Sequence, residues 1–139
     1  MKKYLFALFI GLGSLLLAAQ AHAQVIVIAN PGVKTSEVSK NDLKDVFTGS
    51  STSLGGGSVV PILLKAGAAH EAFLQAYIGK NDTAYRAGWR SLVFSGQASM
   101  PKSLDSDAAV VEFVAHNAGA IGYISKATPH EGVKVLAVH

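Results

Sequence analysis

Cysteine is absent from this 139-residue sequence, and tryptophan occurs once, methionine twice and proline four times, with only 15% of residues charged. Without cysteine there is no disulfide framework and no thiol nucleophile, so apolar burial has to carry the fold. Charge of either sign is thinly spread. No basic tract interleaves with aromatic residues, which argues against a nucleic-acid partner. The histidines (His22, His70, His116, His130 and His139) lack metal-ligand spacing. No serine lies in a G-x-S-x-G elbow, and no nucleophile–base set can be named. The sequence therefore predicts neither an enzyme nor a metal or cofactor site.

What is present begins with a targeting pattern. Lys2 and Lys3 precede an apolar run over residues 5–19, and Ala21-His22-Ala23 follows as an A-x-A site. This reads as a signal peptide over residues 1–23, with Gln24 the first mature residue. The run is short for a membrane span and is followed by the cleavage pattern. Losing Lys2 and Lys3 takes the formal charge from +3 to +1. The expected location is a bacterial periplasm or the medium. Residues 24–139 have the length of one domain with one core.

The mature chain alternates β-branched runs with helical periodicity. Val25–Ala29 is continuously apolar, which predicts a strand covered on both faces. Ser39 and Asp42 have capping-box spacing before Leu43, Val46 and Phe47 at i, i+3, i+4. A polar, Gly-rich stretch over 48–58 lacks the Gly-Lys-Ser/Thr ending of a P-loop and reads as a surface loop. Residues 59–64 form a second strand, where Pro61 favours an edge or a bulge. A helix with Ala69, Ala72, Phe73 and Ala76 on one stripe ends at Gly79. Asn81 and Asp82 open the next, whose stripe is Tyr85, Trp89, Leu92 and Val93; Tyr85, Trp89 and Phe94 read as core. Arg86 and Arg90 share another face of it and read as solvated. Asp105-Ser106-Asp107 starts a helix bearing Val110, Val111 and Val114. Strands over 119–125 and 133–138 close the chain; Gly119 and Gly122 allow close backbone approach. The order β-α-β-α-α-α-β-β predicts an α/β domain, a mixed sheet flanked by helices in two or three layers.

The stretch 62–73 carries the main functional signal. An apolar strand stops at Lys65, the small residues Ala66, Gly67 and Ala68 turn, and a helix begins near Ala69. Backbone N–H groups and the positive end of the helix dipole meet there, as at anion sites. Lys65 at the rim reads either as an attractor or as a solvated lysine. His70 reads either as a ligand donor or as ordinary surface packing. Tyr123 points its hydroxyl into the cleft or packs in its strand.

Several stretches together resemble one family. Asn30-Pro31, the run Leu43-Lys-Asp-Val-Phe-Thr-Gly49, Glu71-Ala-Phe73 and Asn117-Ala-Gly-Ala-Ile-Gly-Tyr123 are similar to motifs of the phosphate ABC transporter substrate-binding proteins, of the class II periplasmic binding fold. Trp89 to Gly96 with Pro101 resembles a short subgroup of them. The resemblance implies a single periplasmic-binding-protein-like lobe over residues 24–139, about half of a two-lobed member and matching mainly the second lobe. It implies an oxyanion site at Gly67, Ala68, Ala69 and His70, rimmed by Lys65, with Thr48, Ser50 and Ser51 from the neighbouring loop. The family's Ser-Gly-Thr turn falls here on Gly67, Ala68 and Ala69, so both hydroxyl donors are missing. Its arginine corresponds to Lys65, a point charge in place of a bidentate fork.

Two functions follow as expectations. One is an exported solute-binding-like protein that takes phosphate or another small oxyanion. The other is a ligand-free interaction module that partners a membrane transporter or sensor, or forms a homodimer.

Overall fold

The computed structural model describes residues 24–139, so the expected signal peptide lies outside the described residues. Eight strands and four helices follow in chain order: β1 Val25–Ala29, β2 Glu37–Val38, α1 Lys40–Phe47, β3 Ser53–Leu54, β4 Gly57–Ser58, β5 Val60–Leu64, α2 Ala68–Phe73, α3 Asp82–Phe94, β6 Lys102–Leu104, α4 Asp107–His116, β7 Ala120–Ser125 and β8 Lys134–Val138. A π-helical segment, Leu74–Ile78, prolongs α2. The expected order holds; the sequence pattern had missed only β2, β6 and the β3–β4 hairpin, all two or three residues long. That hairpin replaces the featureless loop read over 48–58. Gly55 and Gly56 supply the two positive φ values of its turn.

Six strands form a mixed sheet in the order β2-β8-β1-β7-β5-β6. Strand β1 is antiparallel to both neighbours, β7 and β8, and the other pairings are parallel. Its burial on both faces matches its unbroken β-branched run. Pro61 tolerates an interior strand because β6 pairs only with residues 62–64 of β5. Beside Pro61 the β6 side is still open, so no ladder bond requires an N–H from it.

Side-chain alternation along β7 shows three layers. At Gly122 an added Cβ would lie 2.8 Å from Val110 of α4. One residue on, Tyr123 faces the opposite layer and stacks on Phe73 of α2 at 3.9 Å between centroids. Phe47 of α1 meets Phe73 edge-on at 4.9 Å and Tyr123 at 5.8 Å. Helix α4 therefore covers one face, and α1 and α2 cover the other. Helix α3 docks on the end of α1: the Tyr85 hydroxyl and the Trp89 indole N–H, the latter at 3.0 Å, both donate to the Phe47 carbonyl. A carbonyl in the last turn of a helix needs such donors. Burial pushes the Tyr85 phenol up to about 12, so it remains a donor.

Three helices carry the expected side-chain caps. Ser39 accepts from Asp42 N–H, Asn81 from Ala84 N–H, and Ser106 from Ala109 N–H. Expected burial fails at the end of α3 and on α2. Phe94, read as core, is 96% exposed. The stripe of α3 stays buried at Tyr85 and Trp89 and half-buried at Leu92, but Val93, also expected on it, faces solvent with Phe94. On α2 the buried positions are His70, Phe73, Leu74 and Ile78, while Ala76 is exposed. The π segment adds a residue to the turn, and Gly79 N–H reaches back to the Leu74 carbonyl at 2.7 Å. The stripe therefore rotates away from the one that regular 3.6-residue spacing predicts.

Candidate functional site

Strand β5, between β7 and the edge strand β6, ends at Leu64, and residues 65–67 turn the chain into α2. Gly67 takes φ 107°, which a side chain would resist, and no atom lies within 4 Å of the place a Cβ would occupy. As N-cap it provides no side-chain hydrogen bond, so α2 lacks the cap that the other three helices have. The first-turn N–H groups of Ala68, Ala69 and His70 have no intrahelical acceptor. The turn is open to solvent, with Gly67 and Ala68 exposed.

The side chains are arranged differently from the expectation. Lys65 is exposed and pairs with Asp105 at 3.0 Å across the mouth of the turn. His70, expected at the surface or as a donor, is 1% exposed, and both ring nitrogens are engaged. Nδ1 lies 2.5 Å from the Tyr123 hydroxyl, and Nε2 lies 2.6 Å from Asp82 Oδ1. The imidazole is therefore inside the domain, and what His70 presents to the turn is its backbone N–H. Thr48 donates its hydroxyl to the Lys44 carbonyl, and the Ser51 hydroxyl bonds within 51–53. Ser50 is exposed, and its N–H, like that of Ser51, is taken by the Asp45 carbonyl. Among the described residues no hydrogen bond joins this loop to residues 65–70. The loop instead leans on α3, since an added Cβ at Gly49 would meet Leu92 and Trp89.

Two residues outside the expected set organise the turn. Arg86, read as solvated, is mostly covered. Its Nε donates to Asp82 Oδ1 at 2.8 Å, and its Nη2 donates to the carbonyls of Leu64 and Lys65, each at 3.1 Å. Tyr123 accepts the Leu64 N–H at 3.1 Å, so its hydroxyl stands where a ladder acceptor would be. Burial pushes the Tyr123 phenol up, keeping its proton. Burial acts to raise Asp82, but the hydrogen bonds from His70 and Arg86 outweigh it and hold the carboxyl below its ordinary range. A charged carboxylate accepts from Nε2–H, and Nδ1 then accepts from the phenol. The sequence signal for this group was the Asp82–Arg86 spacing of i, i+4 at a helix start. Their long-range partners left no local trace.

The charges near the turn nearly cancel. Lys65 faces Asp105, Arg86 faces Asp82, and Glu71 stands exposed in the first turn of α2. A groove of about 440 Å³ behind the turn is lined by Glu71, Leu74, Gln75, Lys80 and Asp82 among others. Its two carboxylates give it no preference for an anion.

Neither a family model nor a curated protein sequence matches the chain. Solved structures do match. An ABC-type phosphate transport receptor from Vibrio cholerae aligns with a TM-score of 0.64 at 17% identity, covering 83% of this chain and 46% of that one. A putative phosphate ABC transporter substrate-binding protein with bound phosphate from Clostridium perfringens gives 0.64 at 20% identity, covering 83% and 44%. PstS from Borrelia burgdorferi gives 0.61 at 17%, covering 84% and 47%. The chain thus spans a little under half the length of these proteins. It shares their fold, the one its sequence motifs resemble.

Proposed function

We propose that this chain is an exported solute-binding-like lobe that takes phosphate or another small oxyanion at residues 67–70. The supporting observation is the uncapped first turn of α2, open to solvent through Gly67 at the carboxyl end of β5. Fold likeness to phosphate-binding proteins raises this reading above a generic helix terminus. The N–H groups of Ala68, Ala69 and His70 would hold the anion, and Lys65 would leave Asp105 to reach it. Thr48, Ser50 and Ser51 would contribute only after the 48–51 loop moves. Without hydroxyl donors and without a free arginine fork, affinity should be weak, in the millimolar to micromolar range. A membrane transporter or sensor would receive the loaded lobe, and the chain does no chemistry itself. Calorimetric titration with phosphate, sulfate and small carboxylates tests this. Heat or a thermal shift with an oxyanion supports it, and none at millimolar concentration overturns it.

A second reading, an interaction module without a ligand, is favoured by Phe94. A fully exposed aromatic ring next to exposed Val93 is the kind of anchor that buried protein contacts use. Its partner would be a transporter, a sensor or a second copy of the chain. Crosslinking in the periplasm with wild type and Phe94→Ser tests it: loss of a specific crosslink supports the reading, and identical patterns remove it.

A further inference from the structure

The hydrogen bonds around the turn close on themselves. Leu64 N–H is held by Tyr123, whose hydroxyl meets His70 Nδ1. His70 Nε2 meets Asp82, and Asp82 holds Arg86. Arg86 returns to the Leu64 carbonyl and adds that of Lys65. Side chains from α2, α3 and β7 thereby clamp both polar groups of the last residue of β5. His70 is the single buried polar residue among those described, and no buried side-chain polar atom in the group lacks a partner.

We propose that this ring is an acid-sensitive clamp on the end of β5, opened at Tyr123 when His70 takes a second proton. Imidazole is the one side-chain type in the ring that exchanges a proton under mild conditions. In the closed ring Nε2–H donates to Asp82 and Nδ1 accepts the Tyr123 O–H. The new proton enters at Nδ1. Tyr123 Oη would then face two donors, His70 Nδ1–H and Leu64 N–H, while its own hydrogen loses its acceptor in a fully buried place. A buried donor without an acceptor is costly, so the phenol swings away to find one and lets go of the Leu64 N–H. The imidazolium stays beside Asp82 and competes with Arg86 for it, which loosens the hold on the Leu64 and Lys65 carbonyls. Asp82 and Arg86 of α3 and Tyr123 of β7 face the ring directly, and Tyr85 of α3 stands near Asp82 and Tyr123. Tyr77 of the π segment lies beside Phe73. Strands β1 and β5 contribute no titratable side chain, Glu71 is exposed, and Lys65 is turned to Asp105.

Nuclear magnetic resonance on the full chain tests this without any ligand, so its outcome is separate from that of the oxyanion titration. The His70 ring nitrogens and Leu64 amide exchange are followed from mildly alkaline to mildly acidic conditions. Expected is a bare Nδ1 and protonated Nε2 in alkali. As His70 becomes doubly protonated, Leu64 protection should fall by about tenfold or more, relative to intrinsic exchange, the loss of one hydrogen bond. In Tyr123→Phe that protection should be low throughout and independent of pH. The wild-type data decide alone if this variant fails to fold. An Nδ1–H tautomer in alkali, Leu64 protection that ignores the His70 titration, or a His70 that never charges in the folded chain would each overturn the proposal.

Discussion

Tyr123 and Arg86 lie on different elements and hold the same residue: the phenol takes the Leu64 N–H, and the guanidinium takes the Leu64 carbonyl. Neither bond belongs to the sheet ladder. The pairing of β5 with β7 covers Val60 and Pro61, and at Leu64 side chains take the place of the ladder on that side, while β6 pairs with the other side over residues 62–64. The end of β5, from which the candidate turn springs, is thus fixed by side chains on its β7 side and by β6 on the other.

Tyr123→Phe preserves the stacked ring on Phe73 and removes only the hydroxyl. It leaves Leu64 N–H and His70 Nδ1 unpaired in the interior. The expected cost is about 1–3 kcal/mol, read as a lower urea midpoint with an unchanged slope.

Asp82 sets an acid limit. Its carboxyl is held below its ordinary range in the folded chain. A depressed folded value means the stabilisation is complete above the unfolded range of carboxylates and is lost as pH falls toward the folded value. Thermal melts across acidic pH should therefore show wild type losing more stability than Asp82→Asn. Parallel curves would show that Asp82 carries no such linkage.

Gly122→Ala tests the packing of α4 on the sheet. The added methyl would sit 2.8 Å from Val110 and 3.4 Å from Val114, both in the core. Overpacking of this kind costs about 1–3 kcal/mol. Gly88→Ala meets no atom within 4 Å in an exposed helix interior, so it should be neutral or slightly stabilising in the same melts.

Phe94→Ser should leave the midpoint within about 0.5 kcal/mol of wild type, because the ring contributes almost no burial. A large loss would mean that Phe94 packs somewhere in solution.

Much of the fold was legible in the sequence because its signals are local. Val25–Ala29 announced a strand covered on both faces, and Ser39, Asn81 and Ser106 announced helix starts. Gly119 and Gly122 marked close approach, and the motif order pointed to the binding-protein fold. The turn at 65–67 and its Gly were equally visible. The errors lie where local period and global packing part. The π segment rotated the stripe of α2, and the end of α3 left Val93 and Phe94 in water.

The sequence by itself determined the backbone of the candidate site: a strand end, a glycine and an uncapped helix start need only neighbouring residues. Tertiary structure alone decided its chemistry. It turned His70 inward onto Asp82, neutralised Lys65 with Asp105, and carried Arg86 and Tyr123 from α3 and β7 onto Leu64. Those partners are 12 to 59 residues apart in the chain. Hydrogen bonds and charge pairs at such separations leave no periodicity for a sequence to display.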